Sequence, residues 1–389
     1  MAVNLTKNDC AVLLASINAQ ATGKTAIATV NESNFISVAQ ATLATGYDNV
    51  INAISQVLSK TVFSVRPYNR KFSGLYIDAM RWGNHVRKLQ TADKNPEEDK
   101  TEMLVDGSSV DMQKINKPVV VQTNFYGANV YQRSITLFKN QLDVAFSNEA
   151  EFGNFVAMVL QNVSDQIEQD HENCARATVA NFIGGKIAGD ASNVIHLVTE
   201  YNAVAGVQLT AATVKKPENF VPFMKWAYSR IKTLSDMLTE RSLQYHVNIT
   251  GKEISRHTPK DKQKCYLYAA EVNNMEASVL TSVFHDNYLK GVDFETVNFW
   301  QSIKSPMQIK VKPVYMLADG SLSSDADEVT ADNVFGVLFD EEAMGITTVN
   351  TWSASAPFNA SGGYSNTFYH FTDRYYNDFT ENGVVFILD

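Results

Sequence analysis

The sequence predicts an α+β fold, and three stretches carry that prediction. Ser147 to Ile183 has no proline, a single glycine and helical spacing over far more residues than one globular core needs. Residues 83 to 137 have strand-like β-branched and aromatic content, split by a long polar insert. Thr347 to Asp389 runs strand, Gly/Ser loop, strand, strand, and carries Tyr364, Phe368, Tyr369, Phe371, Tyr375, Tyr376 and Phe379.

Residues 1 to 65 read as short helices. Asn8 and Asp9 can cap a helix carrying Val12, Leu13 and Ile17, and Ser33 another through Phe35, Ile36 and Val38. After Gly46, residues Tyr47, Val50, Ile51, Ile54, Val57 and Leu58 form an amphipathic stripe. Polar, small-residue links such as Ala19 to Thr29 separate them, so an arm that packs on something else is expected. From Lys60 to Lys88 the cations Lys60, Arg66, Arg70, Lys71, Arg81, Arg87 and Lys88 face only Asp78. They suit a solvated basic surface, or contact with phosphates or an acidic neighbour such as Glu97-Glu98-Asp99.

The strand-like segments GNHVRKLQT and KPVVVQTNFYGANVYQRSITLF flank ADKNPEEDKTEMLVDGSSVDMQKIN. Long structureless loops in compact domains are usually functional or disordered. A hairpin on such a loop has little to bury, and isolated hairpins are marginal in water. The excursion is therefore expected to pack on a neighbour, another copy of the chain; a lid is the rival reading.

The long stretch places Phe152, Phe155, Val156, Val159, Leu160, Val163 and Ile167 on one helical face. Beyond Ile167 the stripe thins to Cys174, Ala175, Thr178, Phe182 and Ile183 among polar residues. Ser147 suits the cap, Glu149 and Glu151 the positive end, and Gly184-Gly185 the stop. One helix of this span is about 55 Å long; an ordinary helix broken near Asp170 is the alternative. The single helix is expected to be a strut, its first half under its own sheet and its polar second half reaching toward the region of residues 190–343 and inter-subunit space.

Between residues 190 and 343 the pattern is mixed. IHLVTEY (195–201) reads as a strand, and Pro222 opens a helix through Phe223, Met224, Ala227, Ile231, Leu234 and Leu238. LQYHVNIT (243–250) reads as a strand ended by Gly251, and residues 252–265 as a basic loop. NNMEASVLTSVF (273–284) reads as a helix capped by Asn273 or Asn274, with Met275, Val279, Leu280, Val283 and Phe284 inward. MQIKVKPVYML (307–317) alternates like a strand, residues 319–333 form an acidic loop, and VFGVLFD (334–340) reads as a fully buried strand.

The chain has 389 residues, room for two or three domains, with 45% hydrophobic and 11% aromatic content. That composition excludes disorder, and a net charge of -9 argues against nucleic-acid binding by the whole surface, leaving local basic patches open. No signal-like start and no membrane-length apolar run is present. Cys10, Cys174 and Cys265 are isolated, which fits synthesis in a reducing cytoplasm without disulfides. The sequon at Asn248-Ile249-Thr250 then has no meaning.

Catalytic patterns are incomplete. Ala21 to Thr25 imitates the end of a phosphate-binding loop, but Asn18 stands where its first glycine belongs. His171-Glu172 lacks a second histidine at Ala175, so no zinc helix forms. The histidines at 85, 171, 196, 246, 257, 285 and 370 are scattered singly. Asp325, Asp327 and Glu328 miss calcium-loop spacing, and pairs such as Glu341-Glu342 are too common to carry weight. No catalytic, cofactor-binding or metal-ligating residues are expected.

Three segments carry a family resemblance: YLYAAEVNNMEASVLTSVFHDNYLKG (266–291), VFGVLFDEEAMGI (334–346) and NTFYHFTDRYYNDFTENGVVFILD (366–389). They resemble the closing segments of major capsid (head) proteins of small, short-tailed bacteriophages (podoviruses) of Gram-positive hosts, which have the Hong Kong 97-type capsid fold. The resemblance implies an N-terminal arm at 1–69, an extended hairpin, or E-loop, at 70–138, and a peripheral domain with a spine helix at 139–189. It implies an axial domain at 190–343 and strands returning to the peripheral domain at 344–389. It further implies pentamers and hexamers in an icosahedral shell around double-stranded DNA, helped by separate scaffolding and portal proteins. Synthesis in the host cytoplasm, residence in the virion and no membrane partner follow. No local motif supports covalent cross-linking between subunits, so a non-covalent shell is expected. An encapsulin-like nanocompartment and a soluble enzyme with residues 90–117 as a lid are the alternatives.

Overall fold

The computed structural model describes residues 7–23, 30–31, 34–60, 72–77, 86–94, 97, 99, 104–111, 113, 115, 117–147, 149–280, 294–323 and 327–389. In chain order the elements begin with α1 (Lys7–Thr22), α2 (Phe35–Leu43) and α3 (Tyr47–Lys60). Then come β1 (Val86–Thr91), β2 (Val120–Phe125), β3 (Ala128–Phe138), α4 (Lys139–Ala145) and α5 (Glu149–Gly189). β4 (Val194–His196), α6 (Leu197–Ala205), α7 (Pro217–Met237), β5 (Gln263–Tyr268), α8 (Ala269–Leu280) and β6 (Glu295–Val297) follow. The last are β7 (Ile309–Val311), β8 (Val329–Ala331), β9 (Val334–Asp340), β10 (Met344–Ser355), β11 (Tyr364–Asn377) and β12 (Gly383–Ile387). They group into two compact units: residues 1–82, 128–175 and 346–374 in the first, and 83–127, 176–345 and 375–389 in the second.

In the first unit the three N-terminal helices build a core. Leu13, Leu14 and Ile17 of α1 meet Phe35 and Ala39 of α2, and Val50, Ile51 and Ile54 of α3. Leu137, Leu142, Phe146, Phe152 and Phe155 from β3, α4 and the start of α5 complete the cluster. Phe152 lies edge-on to Phe35 at 5.8 Å and to Phe146 at 5.3 Å. Each stripe alone is too narrow for a core, and the three helices pack, as expected of them, on residues beyond their own region, those of β3, α4 and α5. The residue preceding α2 is Asn34 rather than Ser33, which lies outside the described residues.

β10, β11 and β3 form a sheet in that order, with β3 antiparallel to β11 from Ala128 opposite Arg374 to Phe138 opposite Tyr364. Alternation along β3 and β11 gives the sheet two faces. Tyr131 and Arg133 of β3 and Phe371 and Asp373 of β11 lie on the covered one. There Arg133 donates twice to Asp170 of α5, and Tyr131 stacks on Phe371 at 5.1 Å.

In the second unit a five-stranded sheet runs β4-β12-β9-β5-β6. β9 is central and antiparallel to both neighbours, and all seven of its residues are buried, as the unbroken apolar run predicts. Leu338 of β9, Cys265 and Leu267 of β5, and Val384 and Phe386 of β12 join the cluster built by α6, α7 and α8. Phe339 faces Phe182 of α5, which also stacks on Phe379 at 5.3 Å.

α5 is one helix, but its ends and polarity differ from expectation. Ser147 lies before it, and its hydroxyl donates to the Val144 carbonyl. Gly184 and Gly185 do not end it. A Cβ on either would collide, with Val311 at Gly184 and with Phe379 at Gly185, so they permit close packing inside the helix. The thinning half is well buried: Cys174, Ala175, Val179, Ala180, Phe182 and Ile183 are covered, and so are His171, Glu172, Arg176 and Lys186. Small residues and paired polar groups occupy a tight interior, which a count of large apolar residues reads as a surface.

Other local expectations are corrected as well. IHLVTEY supplies only the short β4 before α6 begins at Leu197. Pro217, not Pro222, takes the first turn of α7, and Pro222 lies inside it. LQYHVNIT is irregular: Tyr245 has φ 68°, and its carbonyl accepts from Gly383 and from the buried Lys186. β5 begins within the expected basic loop, where Gln263 pairs opposite Asp340 of the central strand. α8 starts at Ala269, ahead of Asn273 and Asn274, while Val283 and Phe284 lie outside the described residues. Only Ile309–Val311 of the 307–317 segment is a strand, closed by Pro313, and the acidic loop supplies its partner β8.

Candidate functional site

The β1–β2 hairpin pairs from Val86 opposite Phe125 to Thr91 opposite Val120. Alternation separates two faces. Lys88, Gln90, Val121, Thr123 and Phe125 share one, and Arg87, Leu89, Thr91, Val120 and Gln122 share the other. The second face is open: Leu89 is 61% and Val120 59% exposed. Further out, Val105 (74%) and Ile115 (79%) are more exposed still, beside exposed Leu104, Val110 and Val119.

The first face is tied down by charge. Lys88 Nζ donates to Asp378 Oδ2 at 3.0 Å and to Glu381, and lies 3.3 Å from Glu342. Burial works against the Lys88 charge, but Asp378 and Glu381 outweigh it and hold the ammonium above its ordinary range. Arg256 pairs with Glu381 at 3.0 Å, donates to Gln90 Oε1 at 2.5 Å, and reaches the Thr380 carbonyl at 3.0 Å. Burial pushes Glu381 upward against the pull of Lys88 and Arg256. Asp93 accepts from the Ser255 amide at 2.6 Å and from Arg241 at 2.5 Å, and both hold it below the usual carboxylate range. Phe125 meets Tyr376 at 5.0 Å. Next to it, Gly127 is required, because a Cβ there would lie 2.5 Å from the Tyr375 carbonyl oxygen.

Beside this seam lies a cleft of about 440 Å³ whose lining includes Arg241, His257, Lys262, Glu341 and Glu342. Its charges are mostly answered within the chain: Lys262 pairs with Glu341 at 2.5 Å and Arg241 with Asp93. Within the chain Glu97 pairs with Lys94, and Lys88 of the basic segment is held by Asp378, Glu381 and Glu342, while Arg66, Arg70, Lys71 and Arg81 lie outside the described residues.

The first unit has an open surface of its own. Val130 and Phe138 of β3, with Phe368, His370 and Trp352, occupy the outward side of the β10–β11–β3 sheet, and Val130, Phe138 and Trp352 are exposed. Trp352 stacks on His370 at 3.8 Å. His171 points the other way, its Nδ1 2.5 Å from Asp373 Oδ2, with Thr348 donating to the second Asp373 oxygen at 2.8 Å. Tyr76 and Phe371 pack its ring at 5.7 and 5.5 Å, making it a buried staple between α5 and β11.

Gly23 follows α1 directly, while Lys24 and Thr25 lie outside the described residues. Among the described residues no group of three or more His, Cys, Asp or Glu could hold a metal ion. No described helix is long and apolar enough to cross a membrane. The joining of Arg256, Asp378 and Glu381 escaped sequence reasoning: Arg256 lies in the segment read as a basic loop, and Asp378 and Glu381 in the largely polar run Asn377–Asn382.

Two solved structures share this arrangement. A chain in the capsid structure of Staphylococcus phage Andhra is 12% identical with a TM-score of 0.56. A chain in the structure of the head fiber and inner core protein gp22 of native bacteriophage P68 is 11% identical with a TM-score of 0.56. Each match covers 85% of this chain and 87% of the other. A search of curated proteins finds no match. The fold is the Hong Kong 97-type expected from the closing segments. The profile of one family matches residues 14–387, nearly the whole sequence. The chain belongs to the Phi29-like phage major capsid proteins and is a structural component of the phage shell.

Proposed function

We propose that this chain assembles as pentamers and hexamers into an icosahedral head around double-stranded DNA. The observation that carries the reading is the hairpin: its open face and tip present Leu89, Val105, Val120 and Ile115 to solvent. Large exposed apolar side chains grouped on one segment mark an interaction site. A second copy is the partner a shell supplies at every position. On this reading residues 1–69 are the arm, 70–138 the extended hairpin, 139–189 the spine, 190–343 the axial domain and 344–389 the returning strands. On the same reading the role is structural, no catalytic, cofactor-binding or metal-ligating residue is assigned, and the contacts between subunits are non-covalent.

Separate scaffolding and portal proteins act in assembly, and the subunit is made in the host cytoplasm before entering the virion. A net charge of -9 suits an inner surface that contacts DNA non-specifically and weakly, so packaging does not stall. Neither the nanocompartment shell nor the lidded enzyme is favoured by membership of this family. The test is light scattering and negative-stain microscopy of the expressed chain, with and without its scaffolding protein. Closed shells support the reading; a monomer or dimer under every salt condition contradicts it.

A further inference from the structure

We propose that the polar seam of Lys88, Gln90, Asp93, Arg241, Arg256 and Glu381 is a clamp that sets the direction in which the β1–β2 hairpin leaves the second unit. Arg256 and Glu381 are then positioning residues for shell assembly. The inference rests on the reading that the hairpin meets a second copy.

A two-stranded ribbon cannot fix its own angle, because it has one ladder and little to bury. Here the apolar anchors on the inner face are few: Val121 is buried and Phe125 meets Tyr376. The other inner contacts are hydrogen-bonded charges drawn from three separate parts of the chain. Arg241, Ser255 and Arg256 come from the irregular segment before β5, Asp378, Thr380 and Glu381 from the turn before β12, and Glu342 from the turn after β9. Arg256 is the link, touching Gln90 on the ribbon and Glu381 and Thr380 on the turn. The clamp reaches past the ladder as well, since the Asp93 amide donates to the Glu253 carbonyl at 3.0 Å. Buried ion pairs add little net stability, but removing one partner strands the other, and directional donors specify geometry. The seam therefore fixes orientation more than it stabilises the fold.

The test is hydrogen exchange on the full-length subunit, with shell formation scored in parallel. In Glu381→Gln and Arg256→Met, exchange in residues 86–91 and 120–125 should quicken by about tenfold through local opening. Exchange in β9 and β12 should stay unchanged, and shells should become fewer or irregular. Lys88→Arg keeps the charge and should keep both protection and shell yield. Arg133→Met removes an ion pair from the first unit and should leave the hairpin protected. Unchanged hairpin exchange in Glu381→Gln and Arg256→Met, or normal shells from loosened hairpins, overturns the clamp. So does a Lys88→Arg variant as loose as Glu381→Gln. The failures are separable. If the unaltered chain never forms shells, the assembly reading falls; if it does and the loosened variants match it, the clamp falls alone.

Discussion

Residues 334–340 and 118–125 are both rich in valine and both form strands, yet they end in opposite environments. VFGVLFD lies between β5 and β12, covered on one side by the cluster of α6, α7 and α8 and on the other by α5. PVVVQTNF has one partner strand, buries Val121 and leaves Val119 and Val120 in solvent. Apolar composition states that surface must be covered; topology decides whether the same chain covers it. In the hairpin it does not, and the apolar surface that remains open is the one proposed to meet a second copy.

Perturbing the covered strand should have the largest effect on stability. Phe339→Ala removes a fully buried ring packed on Phe182 and Tyr266, and should cost about 3–5 kcal/mol in denaturant unfolding. Gly185→Ala comes next. Helix propensity alone would favour alanine, but the new methyl meets the Phe379 ring, so a net loss of about 1–3 kcal/mol is expected from thermal melts. Arg133→Met breaks the pair with Asp170, whose arginine is 41% exposed, and should cost no more than about 1 kcal/mol.

On the hairpin the ranking reverses between stability and assembly. Val120→Asp should change unfolding by less than about 0.5 kcal/mol while lowering shell yield sharply, as counted by microscopy. The smallest effect is pH dependence at Lys88. Its folded pKa is raised, so its contribution is fully present below the ordinary lysine pKa and is lost as pH climbs through the raised value. The Lys88-dependent part of hairpin amide protection should therefore persist through the neutral range and be lost only in alkali.

The sequence made the long helix, the N-terminal helices, the hairpin and the closing strands legible, because each repeats one period for long enough to be read. It misjudged the second half of α5, where Ala175, Ala180 and Gly184 pack closely and His171 and Lys186 are buried with partners. Sequence spacing records hydrophobicity, not the fit of small residues against Val311 or Phe379. It also missed β5, whose polar start at Gln263 and Lys264 hides a strand facing β9. The seam was not legible at all, since Lys88, Arg256 and Glu381 are far apart in sequence and carry no motif.

Removing residues 92–114 tests the central claim most directly, by joining β1 to the short lead into β2 while sparing every contact of the five-stranded sheet. Sedimentation and melting of that variant should show a folded subunit with the parent melting temperature that forms no shells. Shells of normal size, or a subunit that no longer folds, would contradict the claim that this hairpin serves a neighbouring copy.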